Sequence, residues 1–198
     1  RLAKFAEIEC DLKSKQGSYN PKKVTRTIPT DEQIVTAIDT IKNRGWQWTA
    51  GVMATYGLRD HEAFLCEILH KEYDGESWPI ALVPDATKTG NREVFPLPRI
   101  WADRWKLANI TKPNITAPIN KIYGDRTSTQ FSRYKMPFKP YDLRHAWNIR
   151  AALDLGLPTA VAAQMAGHSA TLNLETYQKH ISSVRAAQAY LEALKNNS

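Results

Sequence analysis

Cysteine is nearly missing from this chain: 198 residues carry two, Cys10 and Cys66. That excludes a disulfide framework, and their spacing excludes a cysteine-ligated metal; both fit a reducing, cytoplasmic setting. Long apolar runs are also lacking. The stretch from Ala151 to Ala166 comes closest to the roughly 18 residues of a membrane span, and Asp154 and Pro158 break it. No apolar run follows Arg1-Leu-Ala-Lys4, so a signal peptide is not expected, and the absent initiator Met reads as a processed or truncated chain. His61-Glu62 has no second His at helical spacing, and the five histidines lack partners at ligand spacing. There is no Asp-x-Asp pair for a two-metal nuclease, and Lys88-Thr89 lacks the upstream glycine of a phosphate loop. The chain is therefore expected to work with no cofactor, neither metal nor nucleotide.

Acidic residues are the other shortage. Asp and Glu total 20 against 27 Lys and Arg, a net charge of +7 and an isoelectric point near 9.4. Such an excess favours a polyanionic partner, nucleic acid first and an anionic membrane surface second. With 42% hydrophobic and 24% charged residues the composition is ordinary for a globular protein. The length fits one large domain, or one domain with a short arm.

Residues 1–29 are polar and lysine-rich, with a turn at Gly17-Ser-Tyr-Asn-Pro21, and read as an arm and linker. Thr30 and Gln33 form a capping box ahead of Ile34, Val35, Ile38 and Ile41, which predicts a helix stopped by Gly45. Trp46–Tyr56 reads as a central helix, Gly57-Leu58-Arg59 as a break, and Asp60 to about His70 as a further helix. Trp78–Pro84 and Glu93–Leu97 favour strands around a turn at Thr87–Arg92, which predicts a hairpin with Lys88 at the end of its first strand. Prolines 79, 84 and 96 suggest edge strands. Helices are expected over 99–109, 118–133, 142–155, 158–166, 171–179 and 182–195, with Pro158 at the first position of its helix. The fold class is thus mainly α with one small antiparallel sheet.

A set of Arg, Lys, His and Tyr residues stands at these landmarks. Taken singly each has a plain reading. Arg59 suits an ion pair with Glu62 or Glu67, Gly167-His168 a helix C-cap, Tyr177 a core tyrosine, and Lys88 a solvated turn charge. Together they form an ordered series: Thr55-Tyr-Gly-Leu-Arg-Asp-His-Glu62, Thr87-Lys-Thr-Gly90, Tyr141-Asp-Leu-Arg-His145, Gly167-His-Ser169, and Tyr177 nine residues after His168. This series resembles the catalytic domain of the tyrosine recombinase (phage integrase) family. It runs from about Thr30 to His180, some three-quarters of the chain.

The resemblance implies the DNA breaking-rejoining fold and site-specific recombination or integration of double-stranded DNA through a 3′-phosphotyrosyl intermediate. It implies catalytic roles for Arg59, Lys88, Tyr141, Arg144, His168 and Tyr177. Glu62 would orient Arg59 or its neighbours from behind, and His145 reads as a packed structural histidine. The position three before Arg144 is most often His in the family. Tyr141, which stands there, can donate one neutral hydrogen bond but carries no cation. Arg92, Arg133, Lys135 and Lys139 flank the expected site as candidate DNA-phosphate contacts, or as a solvated basic face.

Residues 30–198 would be the catalytic domain and 1–29 the interdomain linker, with the family's amino-terminal core-binding domain absent. The segment 181–195 puts Val184, Ala187, Tyr190, Leu191 and Leu194 on one helical face. That face would pack on its own domain or, as the family suggests, dock on a neighbouring protomer in a tetrameric synapse. No membrane partner is implied, and the location would be cytoplasmic and nucleoid-associated. Three other readings stand beside this one: a DNA-binding module of the same fold that has lost catalysis, a relaxing activity of the type IB topoisomerase kind, and a basic structural protein that binds no nucleic acid.

Overall fold

The computed structural model describes residues 28–85, 91–167, 169, 171, 187, 190, 191, 194 and 195. Helix α1 (Asp31–Asp39) begins where the sequence predicts. The Thr30 hydroxyl accepts from the Gln33 backbone N–H (3.3 Å), and the Gln33 side-chain oxygen accepts from the Thr30 N–H (2.9 Å). Its buried face is Ile34, Ala37 and Ile38. Gly45 does not end this helix, which stops at Thr40; it lies inside α2 (Arg44–Tyr56), capped by Asn43. A side chain at Gly45 would meet the backbone of Pro113 at 3.0 Å, so the glycine serves a close crossing instead of a stop. Helix α2 is buried along nearly its whole length and ends at Gly57 in the left-handed conformation.

Helix α3 (Asp60–Leu65) is shorter than the sequence suggests. Cys66 turns extended, and the chain enters β1 (Glu67–Tyr73), a strand absent from the sequence reading. Only Ile68 of β1 is buried, so the strand offers no apolar alternation to read. Its register comes from the turn: Asp74 and Gly75 both take positive φ (52° and 76°), and Tyr73 pairs with Glu76. An Asp-Gly pair with both φ positive is the two-residue connection that suits strand twist. β2 (Glu76–Val83) then pairs antiparallel with β3 (Arg92–Val94) in the order β1-β2-β3. The expected hairpin is present, but β3 is three residues long and includes Arg92, which pairs with Val83.

Helix α4 (Ile100–Arg104) ends before the expected residue 109 because Lys106 takes positive φ and turns Leu107 into the core. There the Leu107 carbonyl accepts from the Trp48 indole N–H (2.9 Å). Helix α5 (Asn120–Arg133) follows, then α6 (Pro140–Ile149), which continues as a π-helical turn, Arg150–Asp154. Helix α7 (Thr159–Ala166) has Pro158 as its N-cap and Gly167 as a left-handed C-cap. Of the helices expected over 171–179 and 182–195, only residues 171, 187, 190, 191, 194 and 195 are among the described residues.

Trp48, Trp105 and Trp147 are the largest fully buried side chains. The buried Arg150 guanidinium ties α1 and α2 to the segment after β3, donating to Asp31 (2.7 Å), Ala54 O (2.6 Å) and Leu97 O (3.2 Å). The architecture is mainly α with a small antiparallel sheet, as the sequence predicts.

Candidate functional site

Gly57 sets the geometry. A Cβ there would lie 2.7 Å from the Trp147 ring, so only glycine lets α2 end against α6. The chain then turns through Leu58 into Arg59, the N-cap of α3. Glu62, one turn on, reaches back: its carboxylate accepts from the Arg59 backbone N–H (2.9 Å) and from Arg59 Nη1 (2.7 Å). The plain reading of Arg59 as an ion-pair partner of Glu62 is therefore met.

Two further guanidiniums meet the same carboxylate, which is wholly buried. Arg92, arriving from β3, places Nη2 at 2.8 Å from Glu62 Oε2, and Arg144, from α6, places Nη1 at 3.7 Å. All three arginines also reach the C-terminal end of α7. Arg92 Nε donates to Met165 O (2.9 Å), Arg144 Nη2 to Ala166 O, and Arg59 Nη2 to Gly167 O (3.1 Å). Arg144 Nη1 further donates to Gly57 O (2.8 Å). A helix C-terminus leaves its last carbonyls without intrahelical partners and carries partial negative charge, so cations settle there. Here three consecutive carbonyls and one carboxylate organise three guanidiniums.

Burial alone would raise the pKa of Glu62. The charges of Arg92 and Arg144, the Arg59 N–H and the Arg59 charge outweigh it and hold the carboxyl down to about 2. Arg144 is brought down to about 10, first by burial and then by the neighbouring Arg59 charge, against the pull of Glu62. It stays charged at neutral pH. Three cations against one anion leave positive charge in excess. Arg144 and Arg92 are almost fully covered, while the Arg59 side chain is 21% exposed and brings the centre to the surface. Such a centre suits an incoming anion.

The structure thus gathers Arg59, Glu62 and Arg144. Tyr141, one turn before Arg144 on α6, is exposed, with its ring edge-on to His145 at 4.9 Å. Arg133, Lys135 and Lys139 are exposed as well. Arg92 departs from the expectation of a solvent-facing phosphate contact: it is buried and committed to Glu62 and Met165. The reason is strand parity, since Arg92 and Val94 share the inward face of β3. Sequence reasoning missed this and the carbonyls of Gly57, Met165, Ala166 and Gly167. The alternation of Arg92 with Val94 was the available signal. Lys88, His168 and Tyr177 lie outside the described residues. Among the described residues no helix is long and apolar enough to cross a membrane.

No family model matches the chain. Two curated relatives do, both from Nostoc sp. (strain PCC 7120). Excisase A is 36% identical over 208 residues and Excisase C 30% identical over 204. The matches take in 88% and 87% of this chain but 43% and 40% of the relatives, so the chain spans less than half the length of the curated relatives it matches. Among solved structures, the XerA recombinase superposes with a TM-score of 0.55 at 13% identity, covering 96% of this chain and 71% of that one. The XerH site-specific recombinase, solved bound to a palindromic difH substrate as a post-cleavage complex, gives 0.54 at 14% identity, covering 80% and 49%. The class is a mostly helical domain with the tyrosine recombinase catalytic-domain fold. In sequence the chain is similar to two excisases, and in fold to the XerA and XerH recombinases.

Proposed function

We propose that this chain is the catalytic part of a site-specific DNA recombinase that cuts and rejoins strands through Tyr177. The observation that carries the reading is the convergence of Arg59 and Arg144 on Glu62 at the end of α7, whose C-cap Gly167 directly precedes His168 in the sequence. Residues 30–198 are the catalytic unit on this reading, and 1–29 a linker. The relatives' names, Excisase A and Excisase C, and the DNA-bound XerH complex agree with it.

The reaction is a transesterification at one phosphodiester. The Tyr177 oxygen forms a bond to phosphorus, the bond to the 5′ oxygen breaks, and the strand's 3′ phosphate stays on the tyrosine. The phenolic proton passes to water or a neighbouring base, and Lys88 gives its proton to the departing 5′ oxygen. Negative charge grows on the non-bridging oxygens as phosphorus becomes five-coordinate. Arg59 and Arg144 supply forked donors that stay charged, His168 and Tyr141 add neutral hydrogen bonds, and each such preorganised donor is worth about 3–4 kcal/mol of barrier. Because the phosphotyrosyl ester keeps the bond energy, attack by another strand's 5′ hydroxyl rejoins DNA without ATP. Arg133, Lys135 and Lys139 contact the double-stranded partner's phosphates, and the segment 181–195 joins protomers in the synapse.

A nicked duplex carrying the cleavage sequence tests this, since the short strand beyond the cut diffuses away and traps the covalent adduct. The sequence is first captured from a randomised duplex library. Wild type accumulates adduct. Arg59→Ala and Arg144→Ala each slow adduct formation by about 100-fold or more while still binding the duplex. Duplex binding with no adduct from wild type would mark a binding module.

A further inference from the structure

Arg92 was expected on the surface and is instead buried at the inner face of β3. Its guanidinium, 4% exposed, joins Glu62 of α3 (2.8 Å) and the Met165 carbonyl of α7 (2.9 Å). Glu62 does not depend on it for a partner, because Arg59 holds both carboxylate oxygens through its N–H and Nη1. What Arg92 adds is a connection from the hairpin to the centre. β3 meets β2 over only three residue pairs, and Arg92↔Val83 is the pair nearest the tip. One step further out, the Asp85 carboxylate accepts from the Asn91 N–H (2.6 Å), which adds a link beyond the last strand pair. Lys88 is four residues from Arg92, within a reach of about 14 Å of chain.

We propose that Arg92 is a positioning residue that anchors the lysine-bearing hairpin to the arginine centre, so that Lys88 meets the departing 5′ oxygen. This rests on the strand-transfer reading above. It assigns Arg92 no contact with DNA: its Nε and Nη2 donate to Met165 and Glu62 instead.

The leaving group separates this role from a general structural one. An alkoxide needs a proton as the bond to phosphorus breaks, whereas a thiolate leaves without one because thiols are far stronger acids than alcohols. Full-length wild type, Arg92→Gln, Arg92→Lys and Lys88→Ala are compared on nicked duplexes of the mapped sequence, with oxygen or sulfur at the bridging 5′ position. Arg92→Gln is expected to slow adduct formation about 10- to 100-fold on the oxygen substrate and to come within about threefold of wild type on the sulfur substrate, following Lys88→Ala. Arg92→Lys can keep one of the two bonds and falls between; it carries the comparison if thermal unfolding shows that Arg92→Gln does not fold. An equal defect on both substrates, or no defect, overturns the role given to Arg92 while wild-type cleavage leaves the recombinase reading intact. Wild type that cleaves neither substrate overturns both.

Discussion

Glu62 concentrates the electrostatics of this molecule in one side chain. Wholly buried, it is kept ionised against the cost of burial by Arg92, Arg144 and Arg59. Its pKa is depressed in the fold, so the stabilisation is full above the ordinary value near 4.5 and is lost as pH falls from there toward 2. Denaturant unfolding across that window should show wild type losing about 3 kcal/mol that Glu62→Gln does not lose. At pH 7 the variant should be less stable by a similar amount, about 3 kcal/mol, because three guanidiniums remain with no anion. A flat acid limb in wild type would contradict this. At this scale the sequence was informative about identity and poor on environment. Arg59, Glu62 and Arg144 stood out from their spacing. The burial of Arg92 depended on β3 reaching one residue further toward the turn than the sequence suggests.

At the scale of elements, two glycines share left-handed backbone but differ in surroundings. Gly75 (φ 76°), in the turn between β1 and β2, has open space where a Cβ would go; Gly57 (φ 62°) has the Trp147 ring at 2.7 Å. Gly75→Ala should cost only the backbone strain, about 1–2 kcal/mol. Gly57→Ala adds a clash that moves Trp147, one turn along α6 from Arg144, and should cost about 2–4 kcal/mol more. Equal costs for the two, measured by denaturant unfolding, would mean that the contact with Trp147 is easily relieved. Elements with a one-sided apolar stripe or a cap were legible: α1 from its capping box, α5 within two residues of its expected start. β1 was not, because a strand that buries Ile68 alone carries no alternation. Its Asp74-Gly75 turn was the readable sign.

For the whole molecule, the excess of seven positive charges is the broadest clue to a partner. Lys135 and Lys139 are exposed near the start of the helix that carries Arg144. If they meet phosphates, Lys135→Gln and Lys139→Gln should each weaken binding to any duplex and reduce the slope of log affinity against log salt by about 1. An unchanged slope would leave them a solvated face. The ordered series of motifs made the architecture legible, since five short boxes in sequence order constrain a fold more than any one of them. Composition could not have done this, because many basic globular proteins share it.

The proposed reaction turns on one covalent bond, between the Tyr177 oxygen and the 3′ phosphate of a DNA strand. Trapped adduct, digested with trypsin and nuclease and sequenced by mass spectrometry, should carry a nucleotide linked through its 3′ phosphate to the peptide containing Tyr177, and Tyr177→Phe should yield no adduct. A nucleotide found on any other residue, or adduct that persists in Tyr177→Phe, would rule out Tyr177 as the nucleophile.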